Sequence, residues 1–136
     1  MQVRTELRHS RLPLERHVAV HFERAQKLLQ EGLDRKAVEE LQHVADYDPQ
    51  NVEAYLQLGE IYVKAGRLQE ASRVAALSLK RKETAAGYLL QARVSLEQGK
   101  LEDAQSQLEA AVRLDPADTE AWTRLQELNS KISARQ

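Results

Sequence analysis

The 136-residue chain has no cysteine, which excludes disulfide staples, thiol catalysis and thiolate metal sites while fitting a reducing or an oxidising compartment equally well. Aromatic residues make up only 4%, and the five glycines are isolated from one another, so no glycine-rich loop is available to cradle a phosphate. No apolar run exceeds four residues, which is too short to span a bilayer or to form the core of a secretory signal. Charge of either sign is not in excess: 20 Lys and Arg oppose 21 Asp and Glu for a net charge of −1, and no global field draws the chain to nucleic acid or to an anionic membrane. The expectation is a cytoplasmic chain that neither binds nucleic acid nor inserts into a membrane.

What is present is the vocabulary of solvent-exposed helices. Charged residues reach 30%, and Ala, Leu, Glu, Gln, Arg and Lys dominate the sequence, which predicts an all-α fold. Those residues also keep a clock. Gly32, Gly66 and Gly99 lie 34 and 33 apart, Ala37, Ala71 and Ala104 keep the same intervals, and His21, Tyr55, Tyr88 and Trp122 step by 34, 33 and 34. Such a period marks a supersecondary unit too small to bury its apolar face alone, stacked on copies of itself.

Each unit reads as two helices. Ala54, Tyr55, Leu58, Ile61 and Tyr62 form the stripe of an amphipathic helix, Gly66 ends it, and Leu68, Ala71, Val74, Ala75 and Leu79 form the next. A turn of about three residues makes the two helices antiparallel neighbours. Alanine at 37, 71 and 104 admits close approach, and a larger side chain there would overpack at roughly 1–3 kcal/mol. Asp48-Pro49-Gln50-Asn51 and Asp115-Pro116-Ala117-Asp118 separate units, with Asn or Asp placed to cap the following helix. The corresponding Lys82-Glu83-Thr84 lacks proline, and the one-residue contraction of the period is expected in or near it.

These residues resemble the tetratricopeptide repeat family. Glu53-Ala54-Tyr55-Leu56-Gln57-Leu58-Gly59-Glu60-Ile61-Tyr62, followed by Gly66, Leu68 and Ala71, is similar to its motif almost position for position; Ala92, Gly99, Leu101, Ala104, Leu108, Ala111 and Pro116 match in the third unit. The first unit departs at His21, where an aromatic is usual, and at Arg24, where a leucine is preferred. Gln91 replaces that leucine in the third unit. The resemblance implies a right-handed superhelical solenoid of antiparallel helix pairs. Its units span 18–51, 52–84 and 85–118, followed by a capping helix over 119–133 in which Trp122 and Leu125 face inward, and a tail at 134–136. Residues 1–17 are an extension, with Pro13 in the first turn of a helix that runs into the first unit. Val3, Leu7 and Leu14 give it a weak apolar stripe, so it is either a short helix or a tail.

In that family the inner surface of the stack takes a peptide or helix. The fifth residues of the units here are Phe22, Leu56 and Leu89 and the twelfth are Leu29, Val63 and Leu96, apolar in every unit; Thr123 and Ser130 break both ladders in the capping helix. Two readings stand: these side chains extend the core, or they line a groove for a partner's apolar face, with Gln26, Glu53, Glu60, Arg93 and Glu97 supplying polarity. The expected function is therefore a non-catalytic protein-interaction scaffold. The alternatives are a self-assembling homo-oligomer and a regulatory domain of a larger enzyme or membrane protein. Members that grip acidic chaperone tails use Lys, Asn and Arg at positions held here by Phe22, Gln26, Gln57, Ala86 and Leu90, so the carboxylate-binding cations are missing and such tails are not the expected ligand.

No chemistry is expected. His17 and His21 have the spacing of a metal pair, but no acid stands between them to serve as a zinc protease's base, and they read as surface or cap histidines. Asp46 and Asp48 begin like a calcium loop that Pro49 interrupts without a glycine or terminal glutamate in register. No strained serine turn is present. The expectation is no cofactor, no metal and no catalytic residue.

Overall fold

The computed structural model describes residues 11–135. Among the described residues the secondary structure is seven helices and no strand: α1 (Arg11–Gln30), α2 (Asp34–Tyr47), α3 (Val52–Lys64), α4 (Leu68–Arg81), α5 (Ala85–Glu97), α6 (Leu101–Leu114) and α7 (Thr119–Arg135). The periodic glycines explain where the first helix of each pair stops. Gly32, Gly66 and Gly99 all adopt φ +75°, a conformation that costs a side-chain-bearing residue about 1–2 kcal/mol. Each lets the following N–H turn back on the helix: Leu33 donates to the Leu28 carbonyl, Arg67 to Tyr62 and Lys100 to Ser95, every one at 2.8 Å. This is the same Schellman closure three times.

The links between pairs locate the irregularity in the period. Segments 48–51 and 115–118 each hold four residues, whereas 82–84 holds three. Asn51 Oδ1 accepts from the Ala54 N–H at 3.1 Å, and Asp118 Oδ1 from Glu120 at 3.0 Å and Ala121 at 3.2 Å. In the shorter link Thr84 Oγ1 takes over as the cap, accepting from the Gly87 N–H at 3.0 Å. Gly87 is required there by proximity: a Cβ at that position would lie 2.7 Å from a Leu79 methyl. The shortened link and the glycine together allow α5 to close on α4.

The chain divides into two compact units after Ala54. In the first, α1 packs on α2 around Ala25, Ala37, Leu41 and Val44, all fully buried. In the second, α5 packs on α4 and α6, and α6 on α7. Its buried set includes Leu58, Ile61, Ala71, Ala75, Leu90, Ala104, Leu108 and Leu128. Ala92, Ala104, Leu108, Leu125 and Leu128 form one cluster shared by α5, α6 and α7. Small side chains at the helix crossings permit this density, and Gly59 extends the pattern, because a Cβ on it would sit 2.2 Å from a methyl of Leu90.

One expectation needs correction. Leu125 is buried in α7, but Trp122 is 47% exposed; Ala121 takes the fully buried place beside it, so the indole does not face the core. Leu14, the described member of the N-terminal apolar stripe, is 41% exposed, while Val3 and Leu7 lie outside the described residues. Pro13 falls in the first turn of α1, where a missing N–H costs no helical hydrogen bond.

Candidate functional site

The first compact unit carries a shallow trough of about 660 Å³, lined by Glu15, Val18, Ala19, Phe22, Glu23 and Gln26 with Asn51 and Glu53. The α1 members recur at intervals of three and four, so they share one helical face. The hydroxyl-free floor of Val18, Ala19 and Phe22 is bordered by carboxylates and amides, and no lysine or arginine lines it. Phe22 is half-buried and Glu53 exposed. Of the expected groove residues, Phe22, Gln26 and Glu53 thus come together in one depression. Val18 and Ala19 escape the repeat positions because they precede the fifth residue on which the ladder is built; their spacing of four and three from Phe22 is the signal that could have found them.

The remaining expected residues fall in other surroundings. Leu29, Leu56 and Val63 are half-buried without lining that trough. In the second unit Leu89 and Leu96 are half-buried with one side packed against the α5–α6–α7 cluster, so they serve the core at least in part. Glu60 and Arg93, 33 residues apart, form an ion pair. Glu97 is exposed. At the positions of the chaperone-tail clamp, Leu90 is 1% exposed and closes on the Gly59 backbone, while Ala86 is exposed and carries no donor.

Electrostatics elsewhere are local. The Tyr88 hydroxyl donates to Glu83 at 2.8 Å. That hydrogen bond, then burial and the Glu83 charge, raise the phenol's pKa above 10.0. Arg135 donates to Glu102, and this hydrogen bond lowers the Glu102 pKa below its ordinary 4.5. Among the described residues, no group of three or more His, Cys, Asp and Glu side chains is placed to hold a metal ion, and no helix is long and apolar enough to cross a membrane.

Two tetratricopeptide repeat profiles match the chain, one over residues 28–94 and one over 85–128. No curated protein matches the sequence. Solved structures do match the fold. The first repeat domain of Spaghetti (RPAP3), bound to the HSP90 peptide SRMEEVD, superposes with a TM-score of 0.82 at 19% identity over 87% of this chain and 97% of that one. The second repeat domain of human RPAP3, in complex with the HSP70 peptide SGPTIEEVD, gives 0.79 at 18% over 85% and 98%. MamA gives 0.76 at 20% over 85% of this chain and 64% of its own. The glycine closures, the buried alanines and the family profiles agree: the chain belongs to the tetratricopeptide repeat family.

Proposed function

We propose that this chain is a non-catalytic interaction module that seats an apolar segment of a partner protein, a helix face or a linear motif, in the trough built around Phe22. The observation that carries the reading is an apolar floor of Val18, Ala19 and Phe22 left half-exposed or exposed on α1, next to the buried Ala25 that α1 already gives to the core. Burying it against a partner would gain about 25 cal/mol per Å² of apolar surface, and an aromatic in a pocket is the usual anchor of such contacts. Leu29 in the first unit and, on the second unit taken by itself, Leu56, Glu60, Val63, Leu89, Arg93 and Leu96 are proposed as further partner contacts from their repeat positions.

The peptide-bound RPAP3 domains support a peptide or protein ligand in general, but an acidic tail suits this chain poorly. Phe22, Gln26, Gln57, Ala86 and Leu90 offer no cation for its carboxylates, and Glu15 and Glu23 border the trough. The test is capture of proteins from the source organism's lysate by the wild-type chain, by Phe22→Glu and by the double variant Leu56→Glu/Leu89→Glu. Each variant is first checked for native helicity by circular dichroism. A protein retained by the wild type and lost with folded Phe22→Glu supports the trough; identical captures by all three chains refute it. A second reading, self-association, is favoured by Trp122 and Leu114, 47% and 48% exposed. A mass by sedimentation that stays monomeric at every concentration would remove it.

A further inference from the structure

A cluster in the first unit is not used by the partner-binding reading. The rings of His17 and His21 on α1 meet those of His43 and Tyr47 on α2. His43 stacks on His21 with centroids 5.0 Å apart at 27°, and Tyr47 meets His17 edge-on at 5.0 Å and 79°. The Nε2 atoms of His17 and His21 lie 3.0 Å apart. The other nitrogen of His21, Nδ1, is paired with the carboxylate of Glu40.

The hydrogen-bonding inventory fixes what these nitrogens present. An ionised carboxylate only accepts, so Nδ1 of His21 carries a proton, and in the neutral ring its Nε2 then holds a lone pair. Such a carboxylate–imidazole contact is the arrangement that orients metal-ligating histidines. His17 is exposed, and its proton is free to move to Nδ1, which turns a second lone pair toward the first. Packing by His43 and Tyr47 holds both rings before any ion arrives.

We propose that His17 and His21 form an open two-nitrogen chelate for a late first-row divalent metal, copper(II) or nickel(II), with Glu40 as the positioning residue and water filling the remaining places. The separation selects the geometry. With metal–nitrogen bonds of about 2.05 Å, two donors 3.0 Å apart subtend about 94° at the ion. That angle suits neighbouring corners of a square-planar or octahedral site. Two protein ligands are fewer than the three or four of resident zinc centres, so the site is an exchangeable one. The carboxylate that positions His21 comes from the neighbouring helix, 19 residues away in sequence.

The test is titration of the full chain with copper(II) chloride and, separately, nickel(II) chloride by calorimetry, with electron paramagnetic resonance of the copper form. One saturable equivalent and two nitrogen couplings are expected. His17→Gln and His21→Gln should each weaken binding at least tenfold. Glu40→Gln should weaken it while retaining both couplings, and His43→Gln should leave them intact, as should His9→Gln at the chain's fourth histidine, which lies outside the described residues. His17 is exposed, so His17→Gln keeps the test meaningful even where His21→Gln loses helicity. Binding unchanged in folded His17→Gln, loss of binding in His9→Gln, or tighter binding of zinc than of copper would each overturn the proposal.

Discussion

Replacement of Gly59 by alanine tests the packing of α3 against α5. The new Cβ would fall 2.2 Å from one Leu90 methyl and 3.2 Å from the other and from Cγ. Carbon atoms settle at about 3.5–4.0 Å, so the nearest methyl must retreat by more than an ångström. Leu90 is 1% exposed and has no solvent to retreat into, which places the cost in the overpacking range of about 1–3 kcal/mol. Alanine returns about 1 kcal/mol of helix propensity, leaving a net destabilisation on the order of 1 kcal/mol. Leu90→Ala alone should cost about 2–5 kcal/mol through the cavity it opens. In the double variant the methyl added at position 59 occupies part of that cavity, so the two changes should be less harmful together than their sum by at least about 1 kcal/mol. Urea unfolding followed by circular dichroism measures all four corners of the cycle. A Gly59→Ala chain as stable as wild type, or a strictly additive double variant, would refute the idea that Leu90 is a core residue clasping a glycine.

Two further outcomes follow from polar groups. Ser78 is fully buried with no hydrogen-bond partner for its hydroxyl; Ser78→Ala should therefore stabilise by about 1 kcal/mol, the desolvation cost of an unmade bond, and a destabilised variant in the same urea titration would disprove it. Tyr88 should ionise above pH 10, with its contribution to stability intact below the unfolded value and lost as pH rises through the folded one. Glu83→Gln should bring that ionisation down, read from ultraviolet absorbance of the phenolate, and a midpoint unmoved by the substitution would show that Glu83 is not the cause.

Much of the fold is legible in the sequence because repetition multiplies weak signals. A single glycine is ambiguous, but Gly32, Gly66 and Gly99 on one interval point to one recurrent backbone conformation, and all three adopt it. The missing residue of the second period is legible in the same way, as a shortened link at 82–84. The interval misplaces Trp122: it assigns a core position, whereas side-chain burial in the last helix depends on neighbours that the interval does not describe. Of the candidate trough, only Phe22, Gln26 and Glu53 are legible, since Val18 and Ala19 stand ahead of the repeat positions.

The sequence by itself determined the helical class, the helix ends, the family and the lack of clamp cations, because each depends on residue type at a local or periodic spacing. Only the tertiary structure decided that Leu89 and Leu96 lean on the core cluster, that Val18 and Ala19 join Phe22 in a trough, and that Glu40 reaches His21. Those facts rest on which faces of separate helices meet, and packing of whole helices sets that.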